Sequence, residues 1–220
     1  QRMRGDIAGM GAVKTALSNG EATVNVAITA GKAVADMLTE MKAKVVQANQ
    51  AGLDTASRTA LNNDFTSLRD QLEPIVQTAE FNGKNLITTG ASALTVLSTV
   101  DGSTISVSAQ VMNATALGIE ADILTSASGA ATALTTIDAA INSVTASLAS
   151  LGSSSKRIDV QSEFTVQLVD ILKEGVGNLV DADLAEESAA LQSLQIKQQL
   201  GVQALSIANS GPQSILALFG

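Results

Sequence analysis

The chain contains neither cysteine nor histidine. That removes disulfides, thiol nucleophiles, imidazole bases and the usual zinc or copper ligands. Aromatic residues are nearly missing as well: there is no Trp or Tyr, and the four Phe make up 2% of the residues. Aromatic side chains supply the large buried areas of thick globular cores. A 220-residue chain that is 45% apolar, mostly through Ala, Leu, Val and Ile, is therefore expected to pack thinly, helix on helix. No stretch approaches the ~20 consecutive apolar residues of a membrane span, and no signal peptide opens the chain. A net charge of −8 speaks against a nucleic-acid partner, which needs clustered Lys and Arg. Candidate chemistry is sparse. Gly9 and Gly11 form an isolated pair with no preceding strand to make a phosphate loop. Asp181, Asp183, Glu186 and Glu187 sit where acidic side chains complement a helix start. The reading is of a chain with no catalytic, cofactor or metal site.

What the chain does have is long-range helical rhythm. Stepping alternately three and four from Met10 reaches Val13, Leu17, Gly20, Val24, Ala27, Gly31, Val34, Leu38, Met41, Val45 and Ala48, all apolar or glycine. This 3.5-residue seam is the signature of helices packed as in a left-handed coiled coil. Gly20 and Gly31 lie on it, each weakening the helix by ~1 kcal/mol relative to Ala while permitting a close helix crossing. A break follows at residues 50–54, where Asp54 or Thr55 can cap a second helix. Its seam is Leu61, Phe65, Leu68, Leu72, Ile75 and Ala79. Pro74 predicts a kink or a boundary nearby, and Gly83 is suited to a left-handed cap that ends the helix at residues 81–83.

Between Leu86 and about Gly129 the seams vanish and Ser and Thr become frequent. Alternating β-branched residues at 94–100 and 103–108, on either side of Asp101-Gly102, predict a β-hairpin with a two-residue turn. From Leu134 the helical rhythm resumes through Ile137, Ile141, Val144, Leu148, Leu151, Ser155, Ile158, Ser162, Thr165, Val169, Leu172, Val176 and Leu179, about 70 Å of helix at 1.5 Å per residue. Phe164, Leu168 and Ile171 add a neighbouring stripe for a further partner.

Residues 178–220 build a helix with two apolar stripes. At about 100° per residue from Leu184, Leu184, Leu191, Leu194, Val202 and Leu205 fall in one arc, and Ala189, Ile196, Leu200 and Ile207 fall in a second, roughly opposite. A helix lying on one core needs a single stripe. Two stripes require two sets of neighbours, and the simplest second neighbour is another copy of the chain. Ile215, Leu216, Leu218 and Phe219 extend the same apolar character to the end.

The wording of this segment resembles the carboxy-terminal end of bacterial flagellins, in which an acidic turn leads into a Gln- and Ala-rich helix and a closing ANSxPQSILxLF. Here these are Asp181-Ala182-Asp183, the stretch from Gln195 to Leu200, Ala208-Asn209-Ser210 and Pro212-Gln213-Ser214-Ile215-Leu216. EFNGKNLI at residues 80–87 and LGSSSKRID at 151–159 resemble the same family, with the shorter alphaproteobacterial members the most similar. The resemblance implies a mainly α fold: an elongated, coiled-coil-like rod of three long helices, a small β-hairpin region and a terminal α-helix. It divides the chain into amino-terminal rod helices at 1–83, a short β-rich outer region at 84–129, a carboxy-terminal rod helix at 130–177 and a filament-core helix at 178–220. Val13, Leu17, Val24, Leu38, Met41, Leu61, Phe65, Leu68, Leu72, Ile141, Leu148, Ile158, Val169 and Leu172 are then expected to pack the rod. Leu184, Ala189, Leu191, Leu194, Ile196, Leu200, Val202, Leu205, Ile207, Ile215, Leu216, Leu218 and Phe219 are expected to form the polymerisation interface. The resemblance implies that the terminal helix pairs with an amino-terminal helix of about fifty residues, which this chain begins too late to contain. The implied function is that of a secreted structural subunit that polymerises into the extracellular flagellar filament for motility. Its implied partners are other flagellin subunits, the export machinery and its chaperone, and hook-associated and cap proteins. Surface glycans are a further implied partner, on the Ser and Thr of the outer region. A hook–filament junction protein, or a flagellin-like surface protein binding glycans or host surfaces, is the alternative.

Overall fold

The computed structural model describes residues 2–219, with side chains described for residues 2–208. The chain is mainly α, in the order α1 (Arg2–Ala48), α2 (Thr55–Thr78), β1 (Glu80–Phe81), β2 (Lys84–Asn85), β3 (Leu94–Leu97), β4 (Thr104–Val107) and α3 (Ala127–Phe219). It divides into two compact units, one formed by Gly5–Leu168 and the other by Gln1–Arg4 with Val169–Gly220. The helix boundary expected near Asn178 is absent: α3 runs through it unbroken. The glycines at 175 and 177 lower helix propensity by about 1 kcal/mol each, which ranks them as weak points in a helix and not as stops.

In the unit Gly5–Leu168 the α1 seam is buried from Val13 to Ala48, with Thr23 added to it. Met10, the first seam position, is half-buried. The residues that close over this seam come from α2 (Phe65, Leu72, Val76), from the hairpin (Val96, Val107), from the following loop (Met112, Ile119, Leu124) and from α3 (Ile137, Val144, Leu151, Ile158). Polar positions on the seam are satisfied within their own helices: the hydroxyl of Thr23 donates to Asn19 O and that of Thr165 to Gln161 O. Among the described residues, no buried side-chain nitrogen or oxygen lacks a hydrogen-bond partner.

Of the two glycines where a close helix crossing is expected, only Gly31 meets another helix; Gly20, and with it Gly9, is closely approached by the hairpin instead. A Cβ on Gly20 would lie 2.5 Å from a methyl of Val96, one on Gly9 would lie 2.9 Å from a methyl of Val100, and one on Gly31 would lie 2.8 Å from Leu148. The three glycines are eleven residues apart, close to three whole helical turns, so they form one row. The β-branched Val100 and Val96 of the hairpin fit against Gly9 and Gly20, and Leu148 and Met112 against Gly31. Gly9 was legible only through that spacing, which a three-four seam does not count.

The end of α1, both ends of α2 and the start of α3 have identifiable stops. α1 ends at Ala48, Gly52 turns the chain beyond it at φ 83°, and the buried guanidinium of Arg58 donates to Ala48 O and, at 2.9 Å, to Gln50 O. A cation at the negative end of α1 thus takes up its orphan carbonyls. Asp54, not Thr55, caps α2, accepting from Ser57 N and Ser57 Oγ at 2.8 Å each. These bonds favour the ionised form, and Ser57 N–H above all holds the Asp54 carboxyl below its usual range. α2 passes through Pro74 and stops at Thr78, short of the expected end at residues 81–83. Asn82 (φ 50°) and Gly83 (φ 72°) instead form the two-residue turn between β1 and β2, the left-handed pair that a tight hairpin requires. The side-chain amide of Asn85 then reaches back to Val76 O at 2.7 Å, closing the end of α2, while its oxygen accepts from Ile87 N. α3 starts at Ala127, capped by Ser126 Oγ, which accepts from Gly129 N at 3.0 Å.

The second hairpin forms, but its turn is wider than two residues. β3 and β4 pair with Leu97 opposite Thr104, and Ser98 N–H donates to Ser103 O. The loop is therefore Thr99-Val100-Asp101-Gly102, closed by Gly102 N to Thr99 O at 3.2 Å. Val100 leaves the ladder and leans on α1 at Gly9, a contact that strand alternation alone does not anticipate. Gln161 of α3 ties this hairpin down through Ser98 O at 2.9 Å, and Lys42–Asp138 and Lys44–Asp64 bridge α1 to α3 and to α2.

Candidate polymerisation interface

The other unit has a different surface chemistry. Val169, Leu172, Val176 and Val180 are half-buried, and from Asp181 to Ala208 every side chain is exposed. That span contains Leu184, Leu191, Leu194, Ile196, Leu200, Val202, Leu205 and Ile207, with fractional exposures from 51% at Leu191 to 69% at Ile207. Ala189 is exposed with them. The two apolar arcs are separated on one side by Gln192, Gln195, Gln199 and Gln203 and on the other by Ala190, Ser193, Gly201 and Ala204. Between Glu187 and Ala208 the only charge is Lys197. Ile215, Leu216, Leu218 and Phe219 lie outside the residues whose side chains are described.

The residues expected to pack the rod divide differently. Val13, Leu17, Val24, Leu38, Met41, Phe65, Leu72 and Ile158 are buried, and Leu61, Leu68, Ile141 and Leu148 pack partly buried against the same core. Val169 and Leu172 are half-buried and belong to the second unit. Of the neighbouring stripe on α3, Phe164 and Ile171 are exposed and Leu168 is half-buried.

An isolated helix draws little stability from propensity and most of it from packing of an apolar face. A soluble monomer does not normally expose so long an apolar surface without using it to bind. A closed helical core in one unit and a largely uncharged apolar helix bare to solvent in the other together define a self-assembling structural subunit. The comparisons with known proteins name the kind. The model of the bacterial flagellin N-terminal helical region matches residues 1–90, and that of the bacterial flagellin C-terminal helical region matches residues 134–219. The chain belongs to the bacterial flagellins.

It is 48% identical over 213 residues to flagellin FljK of Caulobacter vibrioides, covering 96% of this chain and 78% of that one. It is 33% identical over 270 residues to flagellin C of Rhizobium meliloti, covering 99% and 83%. Its fold is similar to the crystal structure of Bacillus cereus flagellin, with a TM-score of 0.60 at 22% identity over 67% of this chain and 86% of that one. It is also similar to a putative flagellar hook-associated protein from Vibrio parahaemolyticus, with a TM-score of 0.65 at 17% identity over 80% and 94%. At such identities the two structures speak to fold alone, and the hook-associated likeness does not favour a junction role over a filament one. The protein is a structural subunit, not an enzyme, that polymerises with other flagellin subunits into the extracellular filament that drives swimming. Among the described residues no helix is long and apolar enough to cross a membrane.

Proposed function

We propose that residues 178–220 are the filament-core helix and that their two apolar stripes are the polymerisation interface, each stripe covered by a different neighbour. The observation that carries this is the exposure of both stripes at once. Leu184, Leu191, Leu194, Ile196, Leu200, Val202 and Leu205 would each contribute roughly 1.5–3 kcal/mol on full burial. The gross gain, on the order of 10–20 kcal/mol, is of the same size as or larger than the ~4–15 kcal/mol that association costs in lost freedom. Ordering of the helix is thereby coupled to binding. Residues 1–83 and 130–177 serve as the rod, and 84–129 as its outer region.

The same reading extends to the finer partners. Subunits travel unfolded through the flagellar export machinery with a chaperone on the apolar terminal helix, and the hook-associated and cap proteins engage that helix at the two ends of the filament. The absence of cysteine suits such passage, since no disulfide has to form or break on the way. Thr95, Ser103, Thr104 and Ser106 stand exposed on and beside the second hairpin, which supports attachment of O-linked glycans there. Mass spectrometry of assembled filaments would detect them.

Truncation after Gly177 tests the main reading. The expected result is loss of filaments by electron microscopy while the Gly5–Leu168 unit keeps its helical circular dichroism. Filaments of unchanged diameter and yield from the truncated chain would refute it.

A further inference from the structure

The two apolar arcs of α3 are not equivalent, because a segment of the same chain already lies along one of them. Eighteen residues make about five turns of helix, so positions eighteen apart point the same way. Val176 therefore shares the direction of Leu194, and Val180 falls between the directions of Leu191 and Leu205. Both valines are half-buried and line one groove with Arg2, Met3 and Arg4 of α1, within a single compact unit. Asp183 stands in that groove with the two arginines, acid beside base. The opposite arc has no such cover. Asn178 and Ala182 lie eighteen residues before Ile196 and Leu200, and Ile171 lies eighteen before Ala189, so this arc runs back along α3 to Ile171. Nine residues, about two and a half turns, separate Ile171 from Val180, which puts the two on opposite sides. Ile171 is 65% exposed in the very stretch where Val176 and Val180 are half-buried, and Ile196 and Leu200 are 57% and 59% exposed.

Charge separates the arcs as well. The arc of Leu184 and Leu191 contains Glu187 and has Asp183 at its edge. From Ala189 to Ala208 the only charged residue is Lys197, which stands about 80° from the line through Ile196 and Leu200. Copies that each carry eight net negative charges repel one another in general, and the repulsion is least where the meeting faces carry no charge. The side of Gln192, Gln195, Gln199 and Gln203 is uncharged too, but it has no apolar side chain to bury. Only the line of Ile196 and Leu200 is both apolar and free of charge.

We propose that the arc Ile171–Ala189–Ile196–Leu200 is the face that a second copy covers, through that copy's own helix at residues 178–220, and that the arc of Leu184 and Leu191 is the α1 side of the subunit itself. The chain polymerises with other flagellin subunits, so another copy is the partner that an uncharged apolar face on this helix meets in the filament. The assignment rests on the reading of residues 178–220 as the polymerisation helix, and gives each of its two stripes a particular neighbour.

The chain has no cysteine, so a single introduced cysteine can carry a benzophenone photo-cross-linker to one chosen position of the full-length flagellin. Each labelled chain is copolymerised with an excess of unlabelled parent, so that filaments form whatever the label does to its own packing. Irradiated filaments are then resolved on denaturing gels and the adducts mapped by mass spectrometry. Labels at Ile171→Cys and Leu200→Cys are expected to give covalent dimers joined to residues 178–220 of the second chain. Labels at Val176→Cys and Val180→Cys are expected to give adducts within one chain, at residues 1–4. Separately, Leu200→Gln, which keeps the helix, is expected to raise the critical concentration for polymerisation about 10-fold through the lost burial of one leucine. Dimers in equal yield from both pairs of positions, or an unchanged critical concentration in Leu200→Gln, overturn the proposal. If truncation after Gly177 abolishes filaments while the cross-links do not separate the arcs, this assignment alone fails. If the truncated chain still polymerises, the underlying reading fails.

Discussion

Replacing Gly20 with Ala sets two known effects against each other at one atom. Alanine in a helix interior is worth about 1 kcal/mol over glycine. The added Cβ, however, would lie 2.5, 2.9 and 3.3 Å from Cγ2, Cγ1 and Cβ of Val96. Rotation about χ1 of Val96 exchanges its methyls without clearing the space, because its own Cβ is also too close and a β-branched side chain has few other rotamers. The hairpin itself must move, at a cost of about 1–3 kcal/mol for overpacking. Gly20→Ala should therefore fall between neutral and destabilising by about 2 kcal/mol. Gly11, exposed in the same helix with nothing within 4 Å of a Cβ, is the control. Gly11→Ala should stabilise by about 1 kcal/mol, and subtracting one variant from the other cancels the helix term and leaves the clash. In a Val96→Ala background, itself costing about 2 kcal/mol, Gly20→Ala should turn stabilising, for a coupling of about 1–3 kcal/mol. Urea unfolding followed by circular dichroism measures all four at constant m. If Gly20→Ala stabilises as much as Gly11→Ala, or the coupling with Val96 is near zero, the glycine row is not a packing device and the reasoning fails.

Three further outcomes follow from the same geometry. Gly31→Ala should be milder than Gly20→Ala, within about 1 kcal/mol of neutral in the same urea assay, because its neighbours are the movable ends of Leu148 and Met112. Arg58→Met should destabilise by about 2–4 kcal/mol through loss of two charge-assisted bonds to Ala48 O and Gln50 O, and Arg58→Lys should recover only part of this because lysine lacks the fork that spans both carbonyls. Asp54 has a lowered pKa in the folded chain, so its contribution is complete above the unfolded value and is lost as pH falls through the folded one. Asp54→Asn, an equally good cap, should match the parent at pH 7 and lose less stability below about pH 4, as measured by thermal unfolding across that range.

The chain by itself determined where helices run and which of their faces are apolar, because both follow from residues three and four apart, a distance at which neighbours in sequence are neighbours in space. The α1 seam from Val13 to Ala48, the break at residues 50–54 and the double stripe after Leu184 are of this kind. So was the family, through EFNGKNLI and the closing helix. The short motif also has a local physical meaning, in that Asn82-Gly83 makes the turn and Asn85 caps the helix behind it. What only the tertiary structure decided were the contacts between segments far apart in sequence. Val100 leaving the ladder to meet Gly9 widened the hairpin turn, and Arg58 closing the end of α1 needed two helices to be brought together. The continuity of α3 through Asn178 and the exposure of both stripes beyond it are likewise tertiary outcomes. A stripe records which residues avoid water, and its pattern is the same whether the neighbour that covers it is another segment of the chain or a second subunit.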